Sequence, residues 1–199
     1  MTGFDAVILA NGSFPTADEP LRLLHEARYV VCCDGAARHW PQCDAIVGDG
    51  DSVPDELRQR LIQVSEQEDN DLTKATRHCM ALGLRRLAYL GATGRREDHT
   101  LGNISLLMRY FRDFGLDVLM ATDDGWFVPA SGTATFDSKP GQQVSLFNFG
   151  SNQITSEGLR WDAYNFSEWW QGTLNEALAD SFSLQSDGYY LVYQTYDIK

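Results

Sequence analysis

The chain has few cysteines and few basic residues, and both shortages narrow the classes of protein to which it can belong. The four cysteines, Cys32, Cys33, Cys43 and Cys79, include no CxxC pair, and no histidine stands at the spacing of a zinc site. Lysine and arginine number 16 against 28 aspartate and glutamate residues, so the formal net charge is −12. Because the basic residues are scattered and do not form a stripe, nucleic acid is not an expected partner.

Long apolar runs are also absent. No run is long enough to cross a bilayer, and the first residues do not combine a basic segment with an apolar stretch of signal-peptide length. We therefore expect a cytoplasmic protein with no membrane partner and with reduced, partly buried cysteines. The Walker pattern GxxxxGK[ST] and the dinucleotide pattern GxGxxG do not occur either. A nucleoside triphosphate stays compatible with the acidic composition, provided that divalent cations neutralise it locally.

The first half of the chain alternates short apolar runs with segments of helical period. Strands are predicted at 6–10, 29–33, 45–47, 86–90 and 117–122. Helical segments are predicted at 19–27, 36–40, 54–62, 71–82 and 99–114. In the last of these segments one apolar face is formed by Leu101, Ile104, Leu107, Met108 and Phe111. This alternation predicts βαβ units and an α/β domain with a parallel, Rossmann-like sheet.

After about residue 124 the composition of the sequence changes: short segments rich in β-branched and aromatic residues are separated by turn residues. Strands are predicted at 126–129, 133–136, 143–149, 154–159, 176–184 and 189–196. Such closely spaced strands predict antiparallel sheets, here a small β-sandwich. We therefore expect an α/β domain at 1–124 and a β-sandwich domain at 125–199. The second is small, so it is expected to lean on the first domain or on a second subunit.

Aspartates follow the predicted strand at 45–47. Asp49 and Asp51 are separated by Gly50, which lets the backbone turn so that both carboxylates face one place. Hard oxygen ligands suit Mg²⁺, which is usually held by one or two carboxylates together with the phosphate oxygens of a nucleotide. The alternative for this segment is a solvated turn in which Asp51 or Ser52 caps a helix.

A carboxylate and an ammonium share the first turn of the predicted helix at 71–82. Asp71 opens this helix, Asn70 or Asp69 is its expected cap, and Lys74 follows three residues later. The pair can serve a metal ion and a phosphate group together. The alternative is a capped helix with a surface ion pair.

A glycine-rich turn, GATG at 91–94, joins the strand at 86–90 to the helix at 99–114. Such a turn presents backbone N–H groups and the positive end of a helix to phosphate, and the arginines that follow can add bidentate contacts. His99 begins the helix after Asp98, and we expect it to serve local backbone groups. The sequence therefore predicts a phosphate site at this turn.

Four segments, taken in order, resemble the thiamine pyrophosphokinase family, also called thiamin diphosphokinase. They are DGAA at 34–37, GDGDS at 48–52, EQEDNDLTK at 66–74 and GATGRREDHTLGN at 91–103. GLRW at 158–161 and GTLNE at 172–176 are similar to family segments in the second half. The chain departs from the family pattern where Ala36 and Arg95 replace glycines, Asn70 replaces a threonine and Gly50 replaces an aromatic residue.

The resemblance implies an enzyme that transfers a pyrophosphoryl group from ATP to the hydroxyethyl oxygen of thiamine and releases AMP. It also implies Mg²⁺ as cofactor and a homodimer with active sites at the subunit interface. The implied metal ligands are Asp49, Asp51 and Asp71. The implied nucleotide-binding residues are Asp34, Gly35, Gly48, Asp49, Thr93 and Arg96. The implied catalytic residues are Asp71, Lys74, Arg96 and Asp98. The implied thiamine-binding residues are Gln67, Trp161, Thr173 and Asn175.

The role of Asp98 has two versions: it orients a donor on the phosphate side, or it accepts the proton of the hydroxyl. A Mg²⁺-dependent nucleotide phosphohydrolase or nucleotidyltransferase is the alternative function, because such enzymes also gather aspartates at strand ends. That alternative gives Trp161 and Asn175 no role. A non-catalytic nucleotide- or thiamine-binding module would need the fold but not the carboxylates.

Overall fold

The structure is a computed structural model that describes residues 3–66 and 68–198. The chain divides into two compact units. The first extends to Asp123 without residues 111–114, and the second contains residues 111–114 and the chain from Asp124. None of the helices in the described part has both the length and the apolar character needed to cross a bilayer.

A parallel sheet organises the first unit. Its strands are β1 (Ala6–Leu9), β2 (Val30–Cys33), β3 (Ala45–Gly48), β4 (Leu61–Gln63), β5 (Arg86–Leu90) and β6 (Asp117–Ala121). Their spatial order is β6-β5-β1-β2-β3-β4, and all neighbours within this order are parallel. β1, β2 and β3 are buried at every position, as is usual for parallel strands that are covered on both faces. The predicted parallel sheet is confirmed.

Three α-helices and two short 3₁₀ helices accompany these strands in the described residues. They are α1 (Asp18–His25), α2 (Asp71–Ala81), α3 (Glu97–Arg112) and the 3₁₀ helices Asp34–Arg38 and Asp55–Arg60. The prediction of helix throughout 54–62 was wrong at its end, because Leu61 and Ile62 belong to β4. The predicted apolar face of α3 is buried at Leu107 and Met108, whereas Leu101 is mostly exposed.

The strand order places the polar loops of the first unit at one edge. β1 lies between β2 and β5, so the chain runs outward on one side through β2, β3 and β4 and on the other through β5 and β6. The loops that follow β1, β2, β3 and β5 all leave from the carboxyl ends of parallel strands. In open parallel sheets a crevice forms where the strand order reverses, and ligands bind there.

The second unit is antiparallel. Its strands are β7 (Gly125–Asp137), β8 (Gln142–Asn148), β9 (Ile154–Glu157), β10 (Asn175–Glu176) and β11 (Ser181–Ile198). β11 pairs with β7 on both sides of an irregularity between Gln185 and Tyr189. Its first part also pairs with β9, and its second part pairs with β8, which in turn pairs with β10. The predicted antiparallel pairing is confirmed.

The two parts of β11 contribute to one core. Phe182 and Leu184 from the first part pack in the same buried cluster as Tyr190 and Val192 from the second part. β7 is one strand, although separate strands were predicted at 126–129 and 133–136. Gly132, with φ of 65°, lies where the pairing with β11 shifts, so the turn signal in the sequence marks a bend within a strand.

Candidate functional site

A cleft of about 350 Å³ opens at the carboxyl edge of the parallel sheet. Its walls come from the loops after β1 and β5 and from the first turns of α2 and α3. Of the predicted site residues, it brings together Asp71, Thr93 and Arg96. Asn11 and Asn103 also line it, and neither was among the predicted site residues.

Backbone hydrogen bonds join the loop after β1 to the turn after β5. The N–H of Gly12 donates to the carbonyl of Gly91 at 2.7 Å, and the N–H of Ser13 donates to the carbonyl of Thr93 at 2.8 Å. The Ser13 hydroxyl donates to the carbonyl of Gly94 at 2.8 Å. A Cβ on Gly12 would lie 2.3 Å from the Gly91 oxygen and 2.4 Å from the Thr93 oxygen. Only glycine fits between these carbonyls.

Asp34 presents a buried carboxylate oxygen beside the cleft-forming loops. It follows β2 with a positive φ of 40°, and its Oδ2 accepts the N–H of Ser52 at 3.0 Å. Its Oδ1 is buried and has no hydrogen-bond donor within the described residues. Gly48 makes room for this side chain, because a Cβ there would lie 2.9 Å from the Asp34 Cβ. An unpartnered buried carboxylate oxygen is costly unless a cation or a donor approaches it.

Asp71 is surrounded by charge of both signs. Burial raises the pKa of Asp71, and the negative charges of Asp34 and Asp49 raise it further against the opposing pull of the Lys74 ammonium. The Lys74 Nζ lies 3.7 Å from Asp71 Oδ1, and the Lys74 side chain is only 4% exposed. Mutual repulsion of these carboxylates is what a bound cation would relieve.

Asp49 and Asp51 form a turn, in which the N–H of Asp51 donates to Asp49 Oδ1 at 3.2 Å and Asp51 is exposed. Across residues 3–66 and 68–198, no group of three or more Asp, Glu, His or Cys side chains is arranged to hold a metal ion. Mg²⁺ does not require such a group, because phosphate and water usually complete its coordination. Hard carboxylate donors and the free oxygen of Asp34 fit that ion.

Arg96 is tied to Asp98 by two hydrogen bonds. Arg96 Nη2 lies 2.6 Å from Asp98 Oδ2, and Nε lies 3.1 Å from Oδ1. Asp98 Oδ1 also accepts the N–H of His99 at 3.0 Å. The hydrogen bond from Arg96 lowers the pKa of Asp98, which makes this carboxylate a weaker proton acceptor.

An amide chain connects the start of α2 to α3 and to the turn after β5. Asn70 caps α2 by accepting the N–H of Thr73 at 3.0 Å, as predicted. Its Nδ2 donates to Asn103 Oδ1 at 3.3 Å, and Asn103 Nδ2 donates to the carbonyl of Ala92 at 2.8 Å. This chain fixes the helix that carries Asp71 relative to the glycine-rich turn. The signal for Asn103 was its place at the end of the 91–103 motif.

We predict that Asn103→Ala lowers the free energy of unfolding by about 1–2 kcal/mol, because the Ala92 carbonyl and the Asn70 amide lose their partner. Asn70→Thr is the matched control, since threonine still caps α2 but cannot reach Asn103, and it should cost less than Asn103→Ala. Urea unfolding of both variants measures the difference. Equal and negligible losses would show that the amide chain does not stabilise the unit.

In the second unit, Asn175 holds the backbone of Trp161. Asn175 Nδ2 donates to the Trp161 carbonyl at 2.7 Å, and Asn175 Oδ1 accepts the Trp161 N–H at 3.2 Å. The residue Trp161 is 57% exposed, and the Arg160 guanidinium carbon lies 5.8 Å from the Trp161 ring centroid. The Thr173 hydroxyl donates to the carbonyl of Trp170 at 2.7 Å. Asn175 and Thr173 thus bind backbone groups and support the loops around the exposed indole.

Gln67, the remaining predicted thiamine contact, lies outside the described residues. Within the second unit, large apolar side chains stand more than half exposed beside Trp161 in sequence or on neighbouring segments, among them Tyr164, Leu174 and Leu178. A contiguous patch of such side chains marks a ligand or protein interface, whereas single exposed apolar side chains are common.

Comparisons with known proteins agree along the chain. Residues 21–120 match the family described as Thiamin pyrophosphokinase, catalytic domain, and residues 125–193 match Thiamin pyrophosphokinase, substrate-binding domain. Thiamine pyrophosphokinase 1 of Oryza sativa subsp. japonica is 27% identical over an alignment that covers 85% of this chain and 78% of that protein.

Solved structures with the same fold include thiamin pyrophosphokinase from Candida albicans, with a TM-score of 0.79, 18% identity and coverage of 97% of this chain and 90% of that one. The thiamine pyrophosphokinase from Bacillus subtilis has a TM-score of 0.76, 17% identity and coverage of 97% and 99%. At these identities the structural likeness concerns the fold alone.

Proposed function

Since the chain belongs to the thiamin pyrophosphokinase family, we propose that the family's reaction takes place at the cleft on the carboxyl edge of its parallel sheet. The reaction transfers a pyrophosphoryl group from ATP to the hydroxyethyl oxygen of thiamine, giving thiamine diphosphate and AMP. One observation supports this placement above the others: Asp71 lines a cleft that also carries Arg96, and the negative charges of the nearby Asp34 and Asp49 help to raise the pKa of Asp71.

We propose that Asp49, Asp51 and Asp71 provide the ligands for Mg²⁺, with Asp34 close by. When bound, the ion would neutralise phosphate charge and polarise the phosphoryl oxygens. The raised pKa of Asp71 and the unpartnered Oδ1 of Asp34 support a cation at this place. The alternative role of Asp51 as a helix cap is not supported, since the N-cap position of the following 3₁₀ helix is Pro54 and no side chain caps that helix.

The chain's own residues position the nucleotide in this proposal. Gly48 leaves space for the Asp34 side chain, Gly35 leaves space for the Asn11 amide, and Thr93 presents the turn after β5 to the phosphates. Lys74 and Arg96 offset negative charge that remains on the triphosphate. Asp98 orients Arg96 through their paired hydrogen bonds, which is the version of its role that its lowered pKa supports.

The thiamine oxygen attacks the β-phosphorus, the bond from that phosphorus to the oxygen bridging it to the α-phosphate breaks, and AMP leaves with the bond electrons. The hydroxyl proton passes to solvent water in the same process. Catalysis of this kind depends chiefly on in-line positioning and on charge neutralisation. The cleft suits both demands, because backbone hydrogen bonds join the two loops that form its walls and charged side chains border it.

We propose that Trp161 stacks on thiamine, and Gln67, which lies outside the described residues, stays a proposed thiamine-binding residue. The flat aminopyrimidine and the cationic thiazolium both suit an exposed aromatic face. Asn175 is a positioning residue for Trp161, and Thr173 supports the neighbouring loop. We also propose a homodimer with the thiamine site at the subunit interface, as the family resemblance implies. The exposure of large apolar side chains in the second unit, Trp161 among them, supports it.

We also propose that the first unit is Rossmann-like and that the second is a β-sandwich. Membership of Phe182 and Tyr190, from the two parts of β11, in one buried cluster supports the sandwich. A cytoplasmic location is supported by Cys32, Cys33 and the other two cysteines, all of which are buried as free thiols.

Thiamine-dependent formation of AMP from ATP and Mg²⁺ tests this function. Purified protein is expected to release AMP and form thiamine diphosphate in equal amounts, and to release little AMP without thiamine. Equal turnover of ATP with and without thiamine would instead indicate the phosphohydrolase. Binding of ATP or thiamine without turnover would indicate a binding module.

We predict that Trp161→Ala raises the KM for thiamine about tenfold, because a stacking and cation–π partner worth roughly 1–2 kcal/mol is lost. Its KM for ATP is expected to stay within about twofold of the parent value. Trp161→Phe is the control, since it keeps an aromatic face, and it should recover most of the loss. Steady-state kinetics with each substrate varied in turn decide the matter, and an unchanged thiamine KM in Trp161→Ala would leave the indole as a packing residue.

A further inference from the structure

The two adjacent arginines of the glycine-rich turn differ in their electrostatic partners. Arg96 is held by Asp98 at 2.6 Å, so a carboxylate already offsets its charge. Arg95, which also lines the cleft, has no carboxylate within 4.0 Å among residues 3–66 and 68–198. Its hydrogen bond runs from Nη1 to Asn11 Oδ1 at 3.5 Å. Arg95 therefore brings a positive charge to the cleft that no carboxylate of the described chain neutralises.

Hydrogen bonds and close contacts join the segments around Arg95. The carbonyl of the preceding Gly94 accepts the Ser13 hydroxyl at 2.8 Å, which joins the turn to the loop after β1. On that loop the Asn11 amide also lies against Gly35, where an added Cβ would stand 2.7 Å from Asn11 Nδ2. Asn11 thus sits between the Arg95 guanidinium and the segment that begins with Asp34.

The charge balance of the cleft makes this arginine important. The protein carries a net charge of −12, and Asp71 borders the cleft with Asp34 and Asp49 near it. These carboxylates repel an anionic ligand. A guanidinium that has no carboxylate partner of its own offsets this repulsion better than one that is already in an ion pair. The planar fork of arginine matches phosphate oxygens in bidentate geometry.

We propose that Arg95, positioned by Asn11, binds phosphate oxygens of the nucleotide and is a principal determinant of nucleotide affinity in this enzyme. The ligand class is a polyphosphate, either a nucleoside triphosphate or inorganic tripolyphosphate. The inference rests on the proposed function, and it assigns a binding role to a residue that stands where the family pattern has glycine.

Arg95→Gln removes the charge and leaves a shorter, neutral side chain that keeps an N–H donor. The dissociation constants of ATP with Mg²⁺ and of tripolyphosphate with Mg²⁺ are measured by calorimetry, and the KM values for ATP and thiamine are measured kinetically. We expect both dissociation constants and the KM for ATP to rise about tenfold, as for loss of one charge-assisted hydrogen bond. The KM for thiamine should stay unchanged.

Arg28→Gln is the matched control, because it removes the same charge at a distance from the cleft. Arg28 precedes β2 and so lies at the amino edge of the sheet, opposite the cleft. Equal weakening in the two variants would reduce the effect to net charge and overturn the proposal. An ATP affinity of Arg95→Gln within about twofold of the parent would also overturn it. Asn11→Ala tests positioning and is expected to raise the ATP dissociation constant by a smaller factor, with no change when Arg95 is already replaced.

The calorimetric arm separates this inference from the proposed function. If the parent binds ATP more tightly than Arg95→Gln but forms no AMP with thiamine, the arginine site stands and the kinase function is refuted. If the parent forms AMP with thiamine but Arg95→Gln binds ATP as tightly as the parent, the kinase function stands and the arginine site is refuted.

Discussion

Asp71→Asn is expected to lower the rate of thiamine-dependent AMP formation on the order of a hundredfold or more, with the fold retained. The reason is that the Asp71 carboxylate lies close enough to Asp34, Asp49 and Lys74 for their charges to shift its pKa. The amide keeps the shape of the side chain but brings no negative charge to a cation. Asparagine at the first position of α2 leaves the cap made by Asn70 in place.

Two opposing terms govern the stability of this variant. Burial raises the folded-state pKa of Asp71, so its ionised form costs stability at neutral pH, and that cost disappears as pH falls below the unfolded pKa of about 4. The amide removes the cost. It also leaves the buried Lys74 ammonium without its nearby carboxylate, which is 3.7 Å away in the parent. We therefore expect the thermal midpoint at pH 7 to change by only a few degrees.

Asp55→Asn is the matched control, because Asp55 opens a 3₁₀ helix as an almost fully exposed carboxylate paired with Arg58. Its turnover should equal that of the parent. Steady-state turnover and a thermal melt of each variant form the test. An Asp71→Asn enzyme that works within a few-fold of the parent rate would make Asp71 a structural residue.

Gly12→Ala is expected to lower the free energy of unfolding by about 3 kcal/mol or more, as overpacking against backbone does. The added Cβ would meet the carbonyl oxygens of Gly91 and Thr93 at 2.3 and 2.4 Å. Neither oxygen is at the end of a flexible side chain, so the two loops must separate. Their hydrogen bonds through Gly12 and Ser13 would weaken, and nucleotide affinity should fall with them.

Gly102→Ala provides the comparison, since Gly102 lies within α3 and a Cβ there meets nothing within 4 Å. That change should raise the free energy of unfolding by up to about 1 kcal/mol, because alanine is the better helix former. Denaturant unfolding of the pair measures both signs. A Gly12→Ala protein as stable as the parent would mean that the loops rearrange without cost.

The fold of the first unit was predictable because its signals are local and agree with one another. Alternation of apolar runs with helical segments predicted every strand from β1 to β6 except β4. The three residues of β4 directly follow a 3₁₀ helix, and no turn residue separates the two elements. In the second unit, turn residues misled the prediction. Glycine is a typical turn residue, so Gly132 predicts a chain reversal. In the structure β7 pairs with β11 on both sides of Gly132, and the glycine marks only a bend in the strand.

The clustering of the aspartates was predictable to the extent that strand ends gather side chains. Asp34 and Asp49 directly follow β2 and β3, whose carboxyl ends share an edge, and Asp71 opens α2 near them. Side-chain pairing was not predictable, because it depends on rotamers and on distant loops. The bond between Arg96 and Asp98, and the use of Asn175 for the backbone of Trp161, became visible only in three dimensions.

β11 also has a consequence for how the second unit comes apart. This strand is the common partner of β7, β8 and β9, and its buried residues reach the same cluster from both of its parts. Neither part can open without exposing apolar surface that belongs to the other. Amide protons along β11 should therefore exchange through one concerted opening, so that the unit behaves as a single foldon.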